Sequence, residues 1–448
     1  MISAPGQSQP QSLGQWFVGI DWGNTEHAVC VLDARGQVMA ERRIPHTATA
    51  LGELVAWLLD VAGGERAALA VAIEVPRGPV VELFLERGIA VHSLNPKQLD
   101  RFRDRWSPGG AKDDRRDAWV LARALRSDGE CFRGLTVEPP AVLQLREWTR
   151  TEAELVVELG RLTNRLREQL QRYYPQLLAV APAADEPWMW AVLTRAPTPA
   201  AGRQLSLRTI RALLQAHRIR RVDAAAVQAA LRTPALVVAP GTVDAAAAHV
   251  ALLLPRLTLV QAQRQQCHKA LDALLEQLAG PPAGPPAGPP AGPPAGPPAG
   301  PPPAGPGDGP TATGPSDVAI LRSLPGAGRL VTGTLLAEAS SVITAREHQM
   351  LRSWTGLAPI TKQSGTKKSR TVHMRYACHR RLRAACFFWA FASLKRDPAS
   401  KAYYAQLKAR GHSHARALRS VADRLLRILF AMLAHRTLYD PSRFPIPA

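Results

Sequence analysis

A low-complexity run over residues 280–316, built on repeated Gly-Pro-Pro-Ala, decides how the rest of the chain can be organised. Proline has no backbone N–H and a fixed φ, so such a run neither joins a sheet nor continues a helix. Collagen needs glycine at every third residue, and the repeat here has a different period, which excludes a triple helix. The expected state is an extended, semi-rigid spacer without a core of its own, on the order of 100 Å long if fully polyproline-like at ~3.1 Å per residue. Folded regions are therefore expected on either side of it, and a chain of 448 residues has room for two or three.

Residues 16–130 alternate as an α/β domain does. Val18–Ile20, Ala28–Leu32 and Val38–Arg42 are short apolar or alternating runs separated by turn residues, which predicts a three-stranded meander. Leu51–Ala62 has helical spacing, Ala68–Glu74 reads as a strand, Val80–Arg87 as a helix, Ile89–Leu94 as a strand and Pro96–Trp106 as a helix. Ser107-Pro-Gly-Gly110 then breaks the chain before an acidic helix. Three strands followed by alternating helices and strands is the element order of an RNase H-like (RuvC-like) sheet. Residues 1–15 are polar, lack the layout of a signal peptide and are expected to be disordered.

The pattern changes in 138–279. Leu155, Leu159, Leu162, Leu166, Leu170 and Tyr173 recur at spacings of three and four, an apolar stripe suited to a coiled coil or a helical hairpin. Residues 186–278 are rich in Ala and Leu and end in another periodic stretch, Val260–Leu278. The two long helices could pair with each other or across a dimer. No run of 18 apolar residues occurs, so no membrane partner is expected. Five scattered cysteines point to a reducing cytoplasm.

Charge is concentrated at one end. The net charge is +20, and Val318 to Ala448 holds 23 Lys/Arg against 5 Asp/Glu, whereas the rest of the chain holds 33 against 31. That polarity is the footprint of a nucleic-acid-binding region, 317–448. It contains a Leu324-Pro-Gly-Ala-Gly328 turn between helical stretches, a basic helix from about Arg375 to Leu394, and a basic helical tail, His412–Leu438. Arg380, Arg381 and Arg383 are expected to face phosphates, and Phe387, Phe388, Trp389 and Phe391 to lie in the core. His373, Cys378, His379 and Cys386 lack paired Cys-x-x-Cys spacing, so zinc is not expected.

Chemistry enters with four acids in three segments. Asp21 ends the run Phe17-Val-Gly-Ile-Asp21, Glu74 ends Val71-Ala-Ile-Glu74, and Asp114 and Asp117 open the acidic helix three residues apart, on one face. Unpaired carboxylates brought to one point repel, and a divalent cation with a preference for oxygen, Mg²⁺ or Mn²⁺, is the usual remedy. Capping of the helix explains one aspartate but not the two acids at strand ends. Asp113 competes with Asp114 for the metal. Far downstream, Ser364-Gly365 is flanked by Lys362, Lys367, Lys368 and Arg370, a cationic setting able to stabilise charge developing on a phosphate.

This ordered set resembles the insertion-sequence transposases that join a RuvC-like DEDD domain to a C-terminal serine domain, the bridge-RNA-guided recombinases. The resemblance covers roughly 17–178 and 317–395, through Gly19-Ile-Asp21, Ile73-Glu74, Ala111-Lys-Asp-Asp114-Arg-Arg-Asp117-Ala, Pro325-Gly-Ala-Gly328, Gly356-Leu-Ala-Pro359 and Ser364-Gly365. The family's usual Gly-Asn before the basic helix stands here as Cys378-His379. The resemblance implies metal at Asp21, Glu74, Asp114 and Asp117, and Ser364 as a nucleophile forming a covalent link to DNA. It also implies an element-encoded guide RNA, element-end and target DNA as substrates, and a dimer or tetramer acting in the bacterial cytoplasm at the nucleoid. Two rival readings are a metal-dependent junction nuclease that does not need Ser364, and an actin-like ATPase or sugar kinase suggested by Gly19-Ile-Asp-Trp-Gly-Asn-Thr25. The kinase reading needs a second phosphate loop, and its only candidate, Gly307-Asp-Gly309, lies in the spacer.

Overall fold

A computed structural model describes residues 15–106, 113–280, 314–362 and 371–443. They form two compact units, divided between Pro139 and Pro140. The N-terminal disorder and the Gly-Pro-Pro-Ala spacer expected from sequence lie outside the described residues.

The first unit is a six-stranded sheet with helices on both faces. Strands β1 (Trp16–Trp22), β2 (Glu26–Leu32) and β3 (Val38–Pro45) form the antiparallel meander. Helix α1 (Ala48–Val61) crosses to β4 (Leu69–Ile73), and α2 (Pro79–Glu86) to β5 (Ala90–Ser93), both parallel to β1. Helices α3 (Pro96–Trp106) and α4 (Asp114–Asp128) follow, then a short antiparallel edge strand, β6 (Arg133–Leu135). The order is β3-β2-β1-β4-β5-β6, the mixed α/β sheet of an RNase H-like DEDD domain. β6, three residues with no alternating pattern, carries no sequence signal of its own.

Alternation gives the sheet two different faces. On one, Val18, Ile20, Val29, Val31, Val71 and Ile73 meet the apolar sides of α1 and α2. On the other, Phe17, Ala28, Cys30, Ala70 and Ala72 meet Ala118, Leu121, Ala122 and Leu125 of α4. Small residues dominate this second contact, so the helix lies close to the strands.

The second unit is almost entirely helical. Helices α5 (Pro140–Tyr173) and α11 (Thr242–Ala279) run alongside each other within one chain, and α6 (Gln176–Val180), α7 (Pro187–Arg195), α8 (Pro199–Arg203), α9 (Leu207–Ala216) and α10 (Ala224–Arg232) fill the turn between them. The expected stripe, Leu159, Leu162, Leu166, Leu170 and Tyr173, packs on Val250, Leu253, Leu254, Leu257 and Val260 of α11. The hairpin alternative is thus the one realised inside the chain. α11 is long and apolar enough to cross a membrane by length and composition alone, but this pairing accounts for its apolar face.

Beyond the spacer come α12 (Asp317–Ser323), α13 (Arg329–Thr344), α14 (His348–Trp354), the hairpin of β7 (Pro359–Lys362) and β8 (Thr371–Met374), α15 (Arg380–Arg396), α16 (Pro398–Ala409) and α17 (His414–His435). They do not form a core of their own. Leu145 of α5 and Leu271, Leu274 and Leu275 of α11 lie in the same cluster as Val318, Leu335, Trp389 and Leu425. The spacer therefore links two stretches that share one core, which a composition shift along the chain does not foretell. Trp389 anchors it, fully buried, with its indole N–H donating to the Pro325 carbonyl at 3.1 Å. The neighbouring Gly326 has φ +81°, and a Cβ there would stand 2.6 Å from the Ser393 nitrogen. The Pro-Gly-Ala-Gly turn is thus seated directly on α15.

Candidate active site

Register brings the first two acids together. β1 and β4 run parallel with Ile20 opposite Ile73, so Asp21 and Glu74 occupy neighbouring positions at the carboxyl ends of adjacent strands. Ile20 and Ile73 point into the core under α1 and α2, and alternation turns both carboxylates to the face that α4 covers. Both acids are half-buried.

The direction of α4 sets the other two. Gly19, two residues before Asp21 and on the same face, lies against the backbone of Ala118 and Ala122. At the far end of α4, Arg126 donates to the Ala34 carbonyl, beyond the β2 end that pairs with the start of β1. The N-terminal turn of α4 therefore lies toward Asp21. Asp113 is the cap, its carboxylate accepting from the Arg116 N–H at 3.0 Å. This gives Asp113 a structural task and leaves Asp114, the first helical residue, exposed. Asp117 is 1% exposed.

Asp117 is buried because it has a partner that sequence reasoning missed. Arg103 of α3 holds it with both sides of the guanidinium, Nε to Oδ1 at 2.5 Å and Nη2 to Oδ2 at 2.7 Å, and also pairs with Asp100. Its proton is held more tightly than usual, first by the hydrogen bond to Asp117, then by the charges of Asp117, Asp100 and Glu74. Arg103 thus faces two of the four acids. The only sequence signal is the Asp100–Arg103 spacing on the helix before the acidic one, which reads equally as an ordinary surface pair.

A second support surrounds Trp22. Its ring lies 5.6 Å from that of His27 and 5.7 Å from that of His46, whose Nδ1 is 2.9 Å from His27 Nε2. The same indole lies against Gly78, in the loop that follows Glu74. Burial, and secondly His46, holds His27 below its usual range, so His27 is neutral near pH 7. Trp22 thereby ties the segment after Asp21 to the segment after Glu74.

Oxygen donors on one sheet face suit a hard divalent cation in kind. Among the described residues, no three Asp, Glu, His or Cys side chains converge closely enough to hold one. Arg103 supplies positive charge at Asp117, so a cation there would compete with its guanidinium for the carboxylate oxygens.

In the second unit, Ser364, Lys367, Lys368 and Arg370 lie outside the described residues, in the connection between the paired strand ends Lys362 and Thr371. The side chain of Lys362 is also outside them. Arg380 is exposed in the first turn of α15. Arg381 and Arg383 have partners inside the protein: Arg381 pairs with Glu338 at 2.9 Å, and Arg383 donates to the carbonyls of Arg375 and Tyr376.

Comparison with known proteins places this architecture. A transposase model of the IS110 DEDD type matches residues 18–175, and a model of the transposase IS116/IS110/IS902 family matches residues 318–405. The putative transposase y4uE of Sinorhizobium fredii is 47% identical over 209 residues, which cover 46% of this chain and 58% of that protein. The mini-circle putative transposase for IS117 of Streptomyces coelicolor is 28% identical over 435 residues, 95% of this chain and 96% of the relative. A 43.6 kDa protein of insertion element IS110 from the same organism is 29% identical over 439 residues, 96% of each. A DEDD sheet followed in one chain by a basic helical unit, with both parts matched in order, defines a transposase, an enzyme that cleaves and recombines DNA. The chain belongs to the IS110/IS116 family of insertion-element transposases.

Proposed function

We propose that the chain excises and inserts its own mobile element by cutting and rejoining DNA through a link to Ser364, with Mg²⁺ or Mn²⁺ at Asp21, Glu74, Asp114 and Asp117. The observation that carries this reading is the register of β1 and β4, which aligns Asp21 with Glu74 beneath the helix that bears Asp114 and Asp117. The position of Ser364 inside the segment matched by the second family model supports the serine step. An element-encoded guide RNA and a dimer or tetramer, with acids and serine from different subunits, complete the proposal.

In the proposed step the Ser364 oxygen bonds to phosphorus as one P–O ester bond breaks. The serine proton leaves to a base, and the departing oxygen takes up a proton. A different nucleic-acid hydroxyl then attacks the serine ester, releasing Ser364 and sealing the new strand. A bound divalent cation would neutralise phosphate charge and stabilise the charge that develops on it. Asp21, Glu74, Asp114 and Asp117 would hold it, and Lys362, Lys367, Lys368, Arg370 and Arg380 would contact phosphates. Arg381, already paired with Glu338, would hold α15 to α13, and Arg383, already engaged, would shape the hairpin base.

The test is a covalent-adduct assay with the native element ends and the element's own RNA. Wild type should give a protein–DNA adduct on denaturing gels, and Ser364→Ala should give none. Asp21→Ala should abolish it as well. Cleavage without an adduct in both wild type and Ser364→Ala would mean a metal nuclease instead.

Arg103 makes a separate expectation. Arg103→Ala should tighten Mn²⁺ binding by about tenfold, as a charge competing for Asp117 is removed at a cost of roughly 1–2 kcal/mol in pairing. Paramagnetic resonance of free Mn²⁺ reads this directly, and unchanged affinity would leave Arg103 a purely structural partner.

A further inference from the structure

Three of the four aromatic residues expected in the core of α15 are on its surface. Trp389 is fully buried, but Phe387 is 37% exposed, Phe391 43% and Phe388 60%. Helical spacing explains the division: Leu382, Cys386, Trp389 and Ser393 share the buried side, and Phe388, Phe391 and Lys395 recur on the opposite one. Isolated exposed apolar side chains are ordinary, whereas a contiguous group of large ones points to a partner.

These rings continue across the neighbouring helices. Phe388 meets Phe387 edge-on at 5.7 Å, Phe387 meets exposed His414 of α17 at 6.5 Å, and His414 meets Tyr404 of α16 at 5.8 Å, with a 2.7 Å hydrogen bond between the last two. Edge-to-face contacts leave ring faces uncovered. The flanks are cationic: Lys395 sits 5.5 Å over the Phe391 ring, and Arg383 and Arg419 line a small cavity with Phe387 and with Met374 of β8. The strip therefore begins beside the hairpin strand that leads back to the serine segment.

We propose that this strip binds unpaired nucleic acid, the bases stacking on Phe388, Phe391 and Phe387 while Lys395 and Arg419 follow the backbone. Apolar rings alone would suit a protein helix or a second copy equally well. The charge decides between them: residues 318–448 carry 23 Lys/Arg against 5 Asp/Glu, so the same region of a second copy would bring like charge to the strip and the nearly balanced remainder little attraction, whereas a polyanion is complementary. Duplex DNA buries its base faces and has nothing to offer the rings, so the selectivity is for a single strand. The inference rests on the chain acting on nucleic acid, and not on the serine chemistry.

The test is fluorescence anisotropy of the full chain with a labelled single strand of about 20 nucleotides, against a duplex of the same sequence. Phe388→Ala with Phe391→Ala should weaken single-strand binding by about 100-fold, since each stacked base contributes on the order of tenfold, and leave duplex binding within about twofold. The salt dependence should keep its slope, because no phosphate contact is lost, whereas Lys395→Ala should lower that slope by about one. Phe388→Trp should retain binding and be quenched by the single strand. Both phenylalanines are solvent-facing, so melting curves should match wild type. Unchanged single-strand affinity in the double variant overturns the proposal. So does a variant that turns an oligomer into a monomer in light scattering with strand binding intact, which would assign the strip to a second copy. Loss of the covalent adduct in the serine assay bears on neither outcome.

Discussion

Glu338→Ala is expected to destabilise the C-terminal unit by about 3–5 kcal/mol, the cost of leaving buried charge without its counter-ion. Glu338 is a single carboxylate, its side chain 4% exposed, among three guanidinium groups and an imidazole. Arg150 contacts both oxygens at 3.2 Å, Arg381 contacts Oε1 at 2.9 Å, and His379 and Arg146 approach Oε2 at 3.5 and 3.9 Å. These groups come from α5, α13 and the N-terminal cap of α15, so one side chain ties three helices. Next to it, Ala339 leaves helical geometry, and Arg146 donates twice to the Ala337 carbonyl, at 3.0 and 2.6 Å. Without Glu338, three cations would face one another at a break in α13. Chemical denaturation monitored by circular dichroism measures the loss; a change under about 1 kcal/mol would show that the arginines find water instead. Glu338→Gln should lie between, keeping acceptor and donor groups but not the charge.

The same cluster sets a pH dependence. Burial pushes the Glu338 carboxyl up, but Arg150, with His379 and Arg381, outweighs that and holds it below its ordinary value of 4.5. A carboxyl with a lowered folded value stabilises the fold fully above the ordinary value and loses that contribution as the pH falls through the lowered one. Wild type should therefore lose stability below about pH 4.5 more steeply than Glu338→Gln, whose side chain does not titrate.

Gly19→Ala is expected to cost the N-terminal domain about 3 kcal/mol or more, at the upper end of overpacking penalties. The added Cβ would stand 1.9 Å from the Ala118 carbonyl oxygen and 2.5 Å from the Ala122 nitrogen. Both are backbone atoms inside α4, so no side chain can rotate away and the whole helix must lift from the sheet. Since α4 carries Asp114 and Asp117, the variant should lose adduct formation even where it remains folded. A melting temperature equal to wild type would refute the close approach of strand and helix.

Much of the first unit was legible because its signals are local. Short apolar, β-prone runs at Val18–Ile20, Ala28–Leu32 and Ala68–Glu74 became β1, β2 and β4, and the helices at Leu51–Ala62, Val80–Arg87 and Pro96–Trp106 ended within a few residues of expectation. The strand-end positions of Asp21 and Glu74 were legible too, since each carboxylate closes an apolar run. Arg103 was not, because Asp117 lies 14 residues further along, and a charged residue on a helix gives no sign of which carboxylate it will meet. The aromatic run of α15 misled for another reason: composition suggested a core, while the helical period divided Trp389 from Phe388 and Phe391.

By itself, then, the sequence determined the α/β alternation, the acids at the ends of β1 and β4 and the paired aspartates that open α4. These follow from backbone preference and periodicity, which act over a few residues. Only the tertiary structure decided that α5 pairs with α11 in the same chain, that residues on both sides of the spacer share a core, that Arg103 occupies Asp117, and that Glu338 gathers three arginines. Each depends on which surfaces meet. Burial and charge pairing are rewarded by contact between residues far apart in the chain, and no local pattern encodes that choice.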